Sequence, residues 1–288
     1  MGSNITDRVS VIIVTHNSEP VLPDCLRALR VAMAGGNHQL VVVDNDSDDR
    51  TVETVRRHFP QSLILPQKKN LGFARACNLG GAAASGKYLL FLNPDMIVDS
   101  DVLTALRMAI DAEPRAGLVS GRMRFPDGAF QPSCRRLPTL RNLLFSRGSF
   151  LSRVAPPTAG EIYTLGDYTV VTEVPAVAGT MLMVRADRFR ELGGFDERYF
   201  MYMEDTDLSR RMTRAGYVNL YVPSAGGVHS WGRSSSVGRF RRKCYHHRSV
   251  WQYFRKYHHP LLTWLVLPWL LAVNLLLVAL LPGRGSDG

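Results

Sequence analysis

Val9-Ser10-Val11-Ile12-Ile13-Val14-Thr15 runs straight into His16-Asn17, and the reading of this junction decides the fold. A short, nearly continuous run of β-branched residues fits a strand buried on both faces, as in a parallel sheet. Two similar runs follow, Gln39–Asp44 (QLVVVD) and Lys87–Leu92 (KYLLFL), with a shorter one at Ser62–Leu65. Between them lie helical patterns. Val21, Leu22, Cys25, Leu26 and Leu29 recur at helical spacing, and Thr51–Phe59, Gly72–Ser85 and Asp101–Ala112 read the same way. Strands alternating with helices predict βαβ units and a mainly parallel α/β sheet flanked by helices.

Such sheets bind ligands beyond the carboxyl ends of their strands. Polar clusters stand at three of those ends: Thr15-His16-Asn17, Asp44-Asn45 and Asn93-Pro94-Asp95. Turn formation explains any one of them. Three on one edge point to a site. Position 15 onward reads Thr-His-Asn-Ser-Glu, so the glycine fingerprint of a dinucleotide-dependent oxidoreductase is absent. The Gly-rich, basic loop of a nucleotidyltransferase is absent there too.

Asp95 follows an apolar strand, where a carboxylate can hold Mg²⁺ or Mn²⁺ together with substrate phosphates. Glu204-Asp205-Thr206-Asp207 opens a predicted helix. Acids favour a helix's first turn for its dipole alone. The apolar shelf leading into them, Phe200-Met201-Tyr202-Met203, suits a general base instead, because it shifts a neighbouring carboxylate upward. His229 follows the late strand Val218–Val222; a lone His is more often structural, though a loop His near carboxylates can be a metal ligand.

Six stretches in order, VSVIIVTHN, VVVDNDSDD, NLGFARACNLG, YLLFLNPD, GTMLMVRADRFRELGGFDERYFMYMEDTDLSRRMTRAGY and VHSWGRS, resemble glycosyltransferase family 2, and most of all its rhamnosyltransferase-like branch. The resemblance covers most of Val9 to Ser234. It implies a Rossmann-like GT-A fold and inverting transfer from a nucleotide-diphosphate sugar. L-rhamnose from dTDP-rhamnose is the expected donor, and a glycan or polyprenyl-diphosphate-linked sugar of cell-envelope polysaccharide assembly the expected acceptor. Carried over by motif, Thr15, Asn17 and Asp44 line the nucleoside pocket, and Asn70, Arg75, Asn78 and Asn93 lie along the donor site. Asp95 and His229 are the metal positions, for Mg²⁺ or Mn²⁺. Asp205 is the base, with Glu204 next to it. The family's D-x-D is Asn93-Pro94-Asp95 here, one carboxylate short. A catalytically inactive GT-A relative, or a nucleotide-binding scaffold at the membrane, is the alternative, and retention of both Asp95 and Asp205 argues against it.

The organisation expected is a catalytic domain over residues 1–235, with an irregular insert at about 123–172, then a basic and hydrophobic tail over 236–288. Net charge is +10. The tail is basic and aromatic from Arg233 to Lys256, and Leu261–Leu281 is almost unbroken apolar sequence interrupted by Pro268 and Asn274. A bilayer core takes ~20 residues to cross. The run either spans or lies in the membrane plane, and the basic residues before it place the catalytic domain on the cytoplasmic face of the cell membrane. That anionic surface accounts for the basic stretch, and nucleic acid is not expected as a partner. Cys25, Cys77, Cys134 and Cys244 have no metal or disulfide spacing and read as reduced thiols.

Overall fold

In the computed structural model, the described residues are 7–139, 165–230 and 238–280. The order is β1 (Val9–Thr15), α1 (Leu22–Ala32), β2 (Gln39–Asp44), α2 (Thr51–His58), β3 (Leu63–Pro66), α3 (Phe73–Ala83), β4 (Tyr88–Leu92), β5 (Met96–Val98) and α4 (Val102–Ala112). Then come β6 (Ala116–Arg124), β7 (Phe130–Gln131), β8 (Cys134–Arg135), β9 (Thr172–Glu173), β10 (Ala176–Val177), β11 (Met181–Arg185), α5 (Ala186–Glu191), α6 (Glu204–Arg214) and β12 (Val218–His229). Helix α7 (Arg239–Tyr257), a π-helical segment (Leu262–Val266) and α8 (Leu267–Leu280) end the chain's described part.

The main sheet runs β3-β2-β1-β4-β11-β6-β12-β5. Its first half is parallel, as the apolar runs predict. Its second half is mixed, which corrects the mainly parallel expectation. β11 is antiparallel to both β4 and β6, and β5 is antiparallel to β12. Hydrophobicity reveals that a strand is buried but not its direction; only the connection lengths set that.

Alternate residues of each central strand face opposite sides. Val11, Ile13, Val42, Leu90 and Leu92 pack under α1 and α4, against Leu22, Leu26, Leu29, Val102 and Leu106. Ile12, Val41, Leu89 and Phe91 face the other side, against Ala74 and Cys77 of α3, Phe189 of α5, and Leu208 and Met212 of α6. Burial on both faces explains why these strands carry so few polar residues.

Two expectations about organisation change. The stretch read as an irregular insert begins inside β6 and contributes β7 and β8 to the fold; residues 140–164 lie outside the described part. The boundary at 235/236 does not separate α7 from the catalytic domain. Val250, Tyr253 and Phe254 of α7, with Leu267, form one buried cluster with Tyr199 and Met203. Among the described residues no helix is long and apolar enough to cross a membrane. The apolar run is helical through the described residues, the π segment leading directly into α8 with Pro268 in its first turn.

Gly72 joins the two ends of the site. It has φ +82°, and an added Cβ falls 2.5 Å from the Phe200 carbonyl oxygen. Gly72→Ala therefore forces a positive-φ extended conformation that side chains rarely adopt, worth roughly 1–3 kcal/mol, and pushes the Phe200 loop away. A fall in melting temperature of about 2–4 °C per kcal/mol is expected by calorimetry. An unchanged melting temperature would show that this contact carries no stability.

Candidate active site

The first three strands deliver their polar ends to one edge. Thr15 Oγ1 donates to Asp44 Oδ1 at 2.9 Å, and both residues are buried. Asp44 also accepts the Ser47 hydroxyl at 2.6 Å and the Ser47 N–H at 3.2 Å, which closes the turn after β2. Asn17, at φ 51°, accepts the Asp48 N–H at 2.9 Å. Asn45 ties this turn to the next loop: its amide donates to Asn70 Oδ1 at 3.0 Å and accepts the Leu71 N–H at 2.8 Å. Thr15, Asn17, Asp44 and Asn70 thus share one network. Asn45 and Ser47 belong to it as well. Their motif was visible in the sequence, but as turn formers they carried no separate signal.

The remaining donor-side positions diverge. Arg75 is exposed on α3 and pairs loosely with Glu197 at 3.8 Å. Such a surface pair contributes little and leaves the guanidinium free to turn elsewhere. Asn78 departs from the expectation of a donor contact. Its amide donates to the Phe195 carbonyl and accepts the Phe195 N–H, each at 2.8 Å, so both of its ends clamp the Gly193-Gly194 turn onto α3.

Asp95 stands between β4 and β5. It is 3 % exposed, and neither carboxylate oxygen has a hydrogen-bond partner. A buried, unpartnered carboxylate is costly unless something cationic completes it. The antiparallel β12–β5 pairing puts His229 opposite Met96. His229 Nε2 lies 3.3 Å from Asp95 Oδ1 without the alignment of a hydrogen bond. Its Nδ1 lies 3.0 Å from Gln131 Oε1. An amide oxygen only accepts, so this contact calls for the proton on Nδ1, and the neutral imidazole then presents its lone pair at Nε2. A lone pair facing two bare carboxylate oxygens fits a cation between them. Among the described residues no group of three or more His, Cys, Asp or Glu gathers as a cluster. A cation held here would have two protein ligands, with the rest of its shell open to substrate oxygens and water, as suits Mg²⁺ and its like.

The second carboxylate group opens α6. Asp205 Oδ2 accepts the Gly179 N–H at 2.9 Å and pairs with Arg135; Oδ1 accepts the Thr206 N–H at 2.6 Å and the Thr206 hydroxyl at 3.1 Å. Glu204 differs: its Oε2 is buried with no partner. Burial, then the neighbouring Asp205 charge, pushes its acid up to about 8. The two adjacent carboxyls thus sit in different surroundings, Asp205 fully hydrogen-bonded and Glu204 buried without a partner for Oε2. Asp207 turns away into a buried network described below.

One short path links the two groups. Asn93 N–H donates to the Thr180 carbonyl at 2.9 Å, and the adjacent Gly179 holds Asp205. The metal-type carboxylate and the base-type carboxylate therefore stand on the same edge, on either side of the β10–β11 turn. Arg135 and Gln131 escaped the sequence reading because both lie where periodicity fails. The only sequence cue was an Arg-Arg pair after Cys134.

A parallel half-sheet with a nucleoside-type edge, a lone metal-type carboxylate and a carboxyl pair at a helix start is the layout of a GT-A glycosyltransferase. The sequence profile described as Glycosyl transferase family 2 matches residues 10–192, and the chain belongs to that family. It is 32 % identical over 270 residues, covering 88 % of this chain and 86 % of the relative, to an N-acetylglucosaminyl-diphospho-decaprenol L-rhamnosyltransferase of Mycobacterium tuberculosis. It is 29 % identical to the rhamnosyltransferase WbbL of Escherichia coli, over 77 % of this chain and 83 % of WbbL. Among solved structures, mannosyltransferase PcManGT from Pyrobaculum calidifontis, in complex with GDP-Man and Mn²⁺, matches with a TM-score of 0.59 at 20 % identity, over 99 % of this chain and 79 % of PcManGT. TarS of S. aureus in complex with UDP matches with a TM-score of 0.56 at 15 % identity, over 96 % of this chain and 72 % of that chain. These likenesses establish the fold.

The Glu204 shift has a consequence for stability. A carboxyl that holds its proton more tightly when folded makes the native state bind more protons than the unfolded one above pH 4.5. Stability from this group then falls as pH rises from about 4.5 to about 8. Glu204→Gln removes the titration. The variant's melting temperature should gain on the wild type steadily between those limits, with the gap smallest at the acid end. A gap that stays constant across the range would contradict the shifted acid.

Proposed function

We propose that the chain transfers L-rhamnose, with inversion, from dTDP-rhamnose to a hydroxyl of a polyprenyl-diphosphate-linked sugar during cell-envelope polysaccharide assembly. The relatives' activities support the donor sugar and the acceptor class. The observation that carries the chemistry is the placing of Asp95 and Asp205 on one edge, joined through Asn93, Thr180 and Gly179.

The residues divide the work. Thr15, Asn17, Asp44 and Asn70 hold the nucleoside side, and Arg75 and Asn93 lie toward the diphosphate. Asp95 and His229 hold a divalent ion, Mg²⁺ or Mn²⁺, which when bound neutralises charge on the departing diphosphate. Asp205 takes the proton of the acceptor hydroxyl as its oxygen attacks the anomeric carbon from the face opposite the diphosphate. Asp205, held by Gly179 N–H, Thr206 and Arg135, is the carboxylate of the pair with a fixed orientation, whereas buried Glu204 Oε2 has no partner. Arg135 steadies Asp205 and supplies positive charge beside it.

The acceptor's lipid calls for a membrane surface. The π segment and α8 expose Leu261, Trp264, Leu265, Trp269, Val273 and Leu276, each at least half exposed. The basic residues Arg241, Lys243 and Arg248 of the preceding helix are exposed too. An apolar ridge of this size flanked by cations suits an anionic leaflet, with the helix lying in the plane of the cytoplasmic face.

Three measurements bear on this reading. Asp205→Asn should lower turnover by about 10²–10⁴-fold while nucleotide affinity survives, and Glu204→Gln should cost far less. Near-normal turnover in Asp205→Asn would remove it as base. Excess chelator should abolish transfer, and Asp95→Ala should weaken donor binding; full activity in chelator would remove the ion. On vesicles, the chain should bind anionic lipid and be released by high salt. Binding that salt leaves untouched would point to insertion instead.

A further inference from the structure

Tyr202 and Met203 have φ of 70° and 69°. They are consecutive, neither is glycine, and they stand immediately before Glu204 and Asp205. A side chain in this left-handed region is strained and persists only where the surroundings impose it. The backbone angle of this pair sets where α6 begins, and so where the two carboxyls point.

Helix α7 supplies most of that imposition. Ser249 Oγ donates to the Met201 carbonyl at 2.7 Å. The Tyr245 ring lies against Phe200 with centroids 4.6 Å apart, and His246 meets the edge of Tyr202 at 5.6 Å. Met203 is buried against Val250, Tyr253 and Phe254. From the other side, Phe73 N–H donates to the Phe200 carbonyl at 2.7 Å, and Gly72 leaves room for it.

The same helix grips α6 one half-turn further on. Asp207 is fully buried. It accepts Lys256 Nζ at 2.7 Å, the Tyr257 hydroxyl at 2.8 Å and Arg211 Nε at 2.8 Å. Lys256 also reaches Asp196 at 2.8 Å. A buried charge-assisted network of this kind has a single favourable arrangement, because breaking any one bond leaves a buried charge short of partners. Two grips, at Met201 and at Asp207, bracket Glu204 and Asp205. Both come from outside the stretch that the family profile covers.

We propose that α7 is a positioning element of the catalytic centre, in which Ser249, Lys256 and Tyr257 hold the start of α6 so that Asp205 faces the acceptor. The arm that meets the membrane is then mechanically part of the active site. This rests on Asp205 being the base. None of the three residues touches the reacting atoms; each acts through the backbone at 201–203 or through Asp207.

The test uses the full chain with a water-soluble acceptor, N-acetylglucosaminyl diphosphate on a short alkyl chain, so that membrane binding does not enter. Lys256→Met, Tyr257→Phe and Ser249→Ala should lower kcat about 10- to 100-fold, with donor KM and dTDP affinity nearly unchanged. Lys256→Arg should restore most of the loss in Lys256→Met. Amide exchange of residues 203–208 should quicken in Lys256→Met while the β1–β2 core stays protected. Normal kcat on the soluble acceptor, with only vesicle binding reduced, would overturn the proposal and leave the arm as an anchor. Equal losses in kcat and dTDP affinity would overturn it in favour of general packing. If the wild type transfers nothing from dTDP-rhamnose, the functional reading fails by itself. The exchange experiment then still decides: quickened exchange confined to 203–208 supports the brace, and unchanged exchange rejects it.

Discussion

The hydrogen bond from Gly179 N–H to Asp205 is the constraint on which the site depends. It fastens the start of α6 to the turn between β10 and β11. That turn is fixed in its own right by β11, whose full length pairs antiparallel with β4. β4 in turn carries Asn93 and Asp95 at its end. A base set on a helix and a cation ligand set on a strand thereby share one reference frame. Catalysis by position requires this, since neither group moves far without losing reach. A Cβ at position 179 would sit 3.4 Å from the Asp205 Cβ and 3.6 Å from the Phe73 ring, ordinary contact that packs the turn against α6.

What could be read in the sequence follows from which signals are local. β1, β2 and β4 are legible because strands buried on both faces must be apolar throughout, and no other element of that length looks like them. Thr15, Asp44 and Asp95 are legible for a related reason. A polar residue ending such a run has left the core and meets the ligand edge. Direction is not local. β11 is as apolar as β4 and runs the opposite way, and only the long excursion through β5 to β10 tells the difference. Asn78 shows a different limit. Sequence places it on the helix beside the donor edge, but its partner is Phe195, far along the chain. A motif position identifies a helix face and leaves open what that face meets. Arg135 and Gln131 are the converse, site-lining positions in a stretch without periodicity, visible only once β8 pairs with β10 and Gln131 meets His229.

The C-terminal arm was the hardest part to read, for a physical reason. A helix rich in Arg, Lys, Tyr and Trp suits a membrane surface, and it equally suits a protein face that offers buried acids and aromatic rings. In α7 one side meets such a protein face and the other carries cations into solvent. Tyr253, Phe254 and Val250 are buried against the Tyr199–Met203 loop, whereas Arg241, Lys243 and Arg248 remain in solvent. Lys256, counted in the sequence among the cations facing the membrane, is instead engaged with Asp196 and Asp207. Overall charge could not separate these fates, because they depend on which side of a helical turn each cation occupies.

That division bears on how an enzyme meets a substrate held in a bilayer. Its acceptor would diffuse in two dimensions, with its sugar presented at a fixed height above the lipid. A catalytic domain on a loose tether would sample many heights and tilts, and each misplacement would be repaid in lost rate. Here the helix that carries the solvent-facing cations also carries the contacts to Met201 and Asp207. Its apolar continuation begins only a few residues after Tyr257. Under the proposed membrane reading, the same helix would bear on orientation at the surface and on the carboxyl pair. The strained pair at Tyr202–Met203 is the joint between them: it is the part of the chain with least intrinsic preference for its shape, and so the part most dependent on the arm that holds it.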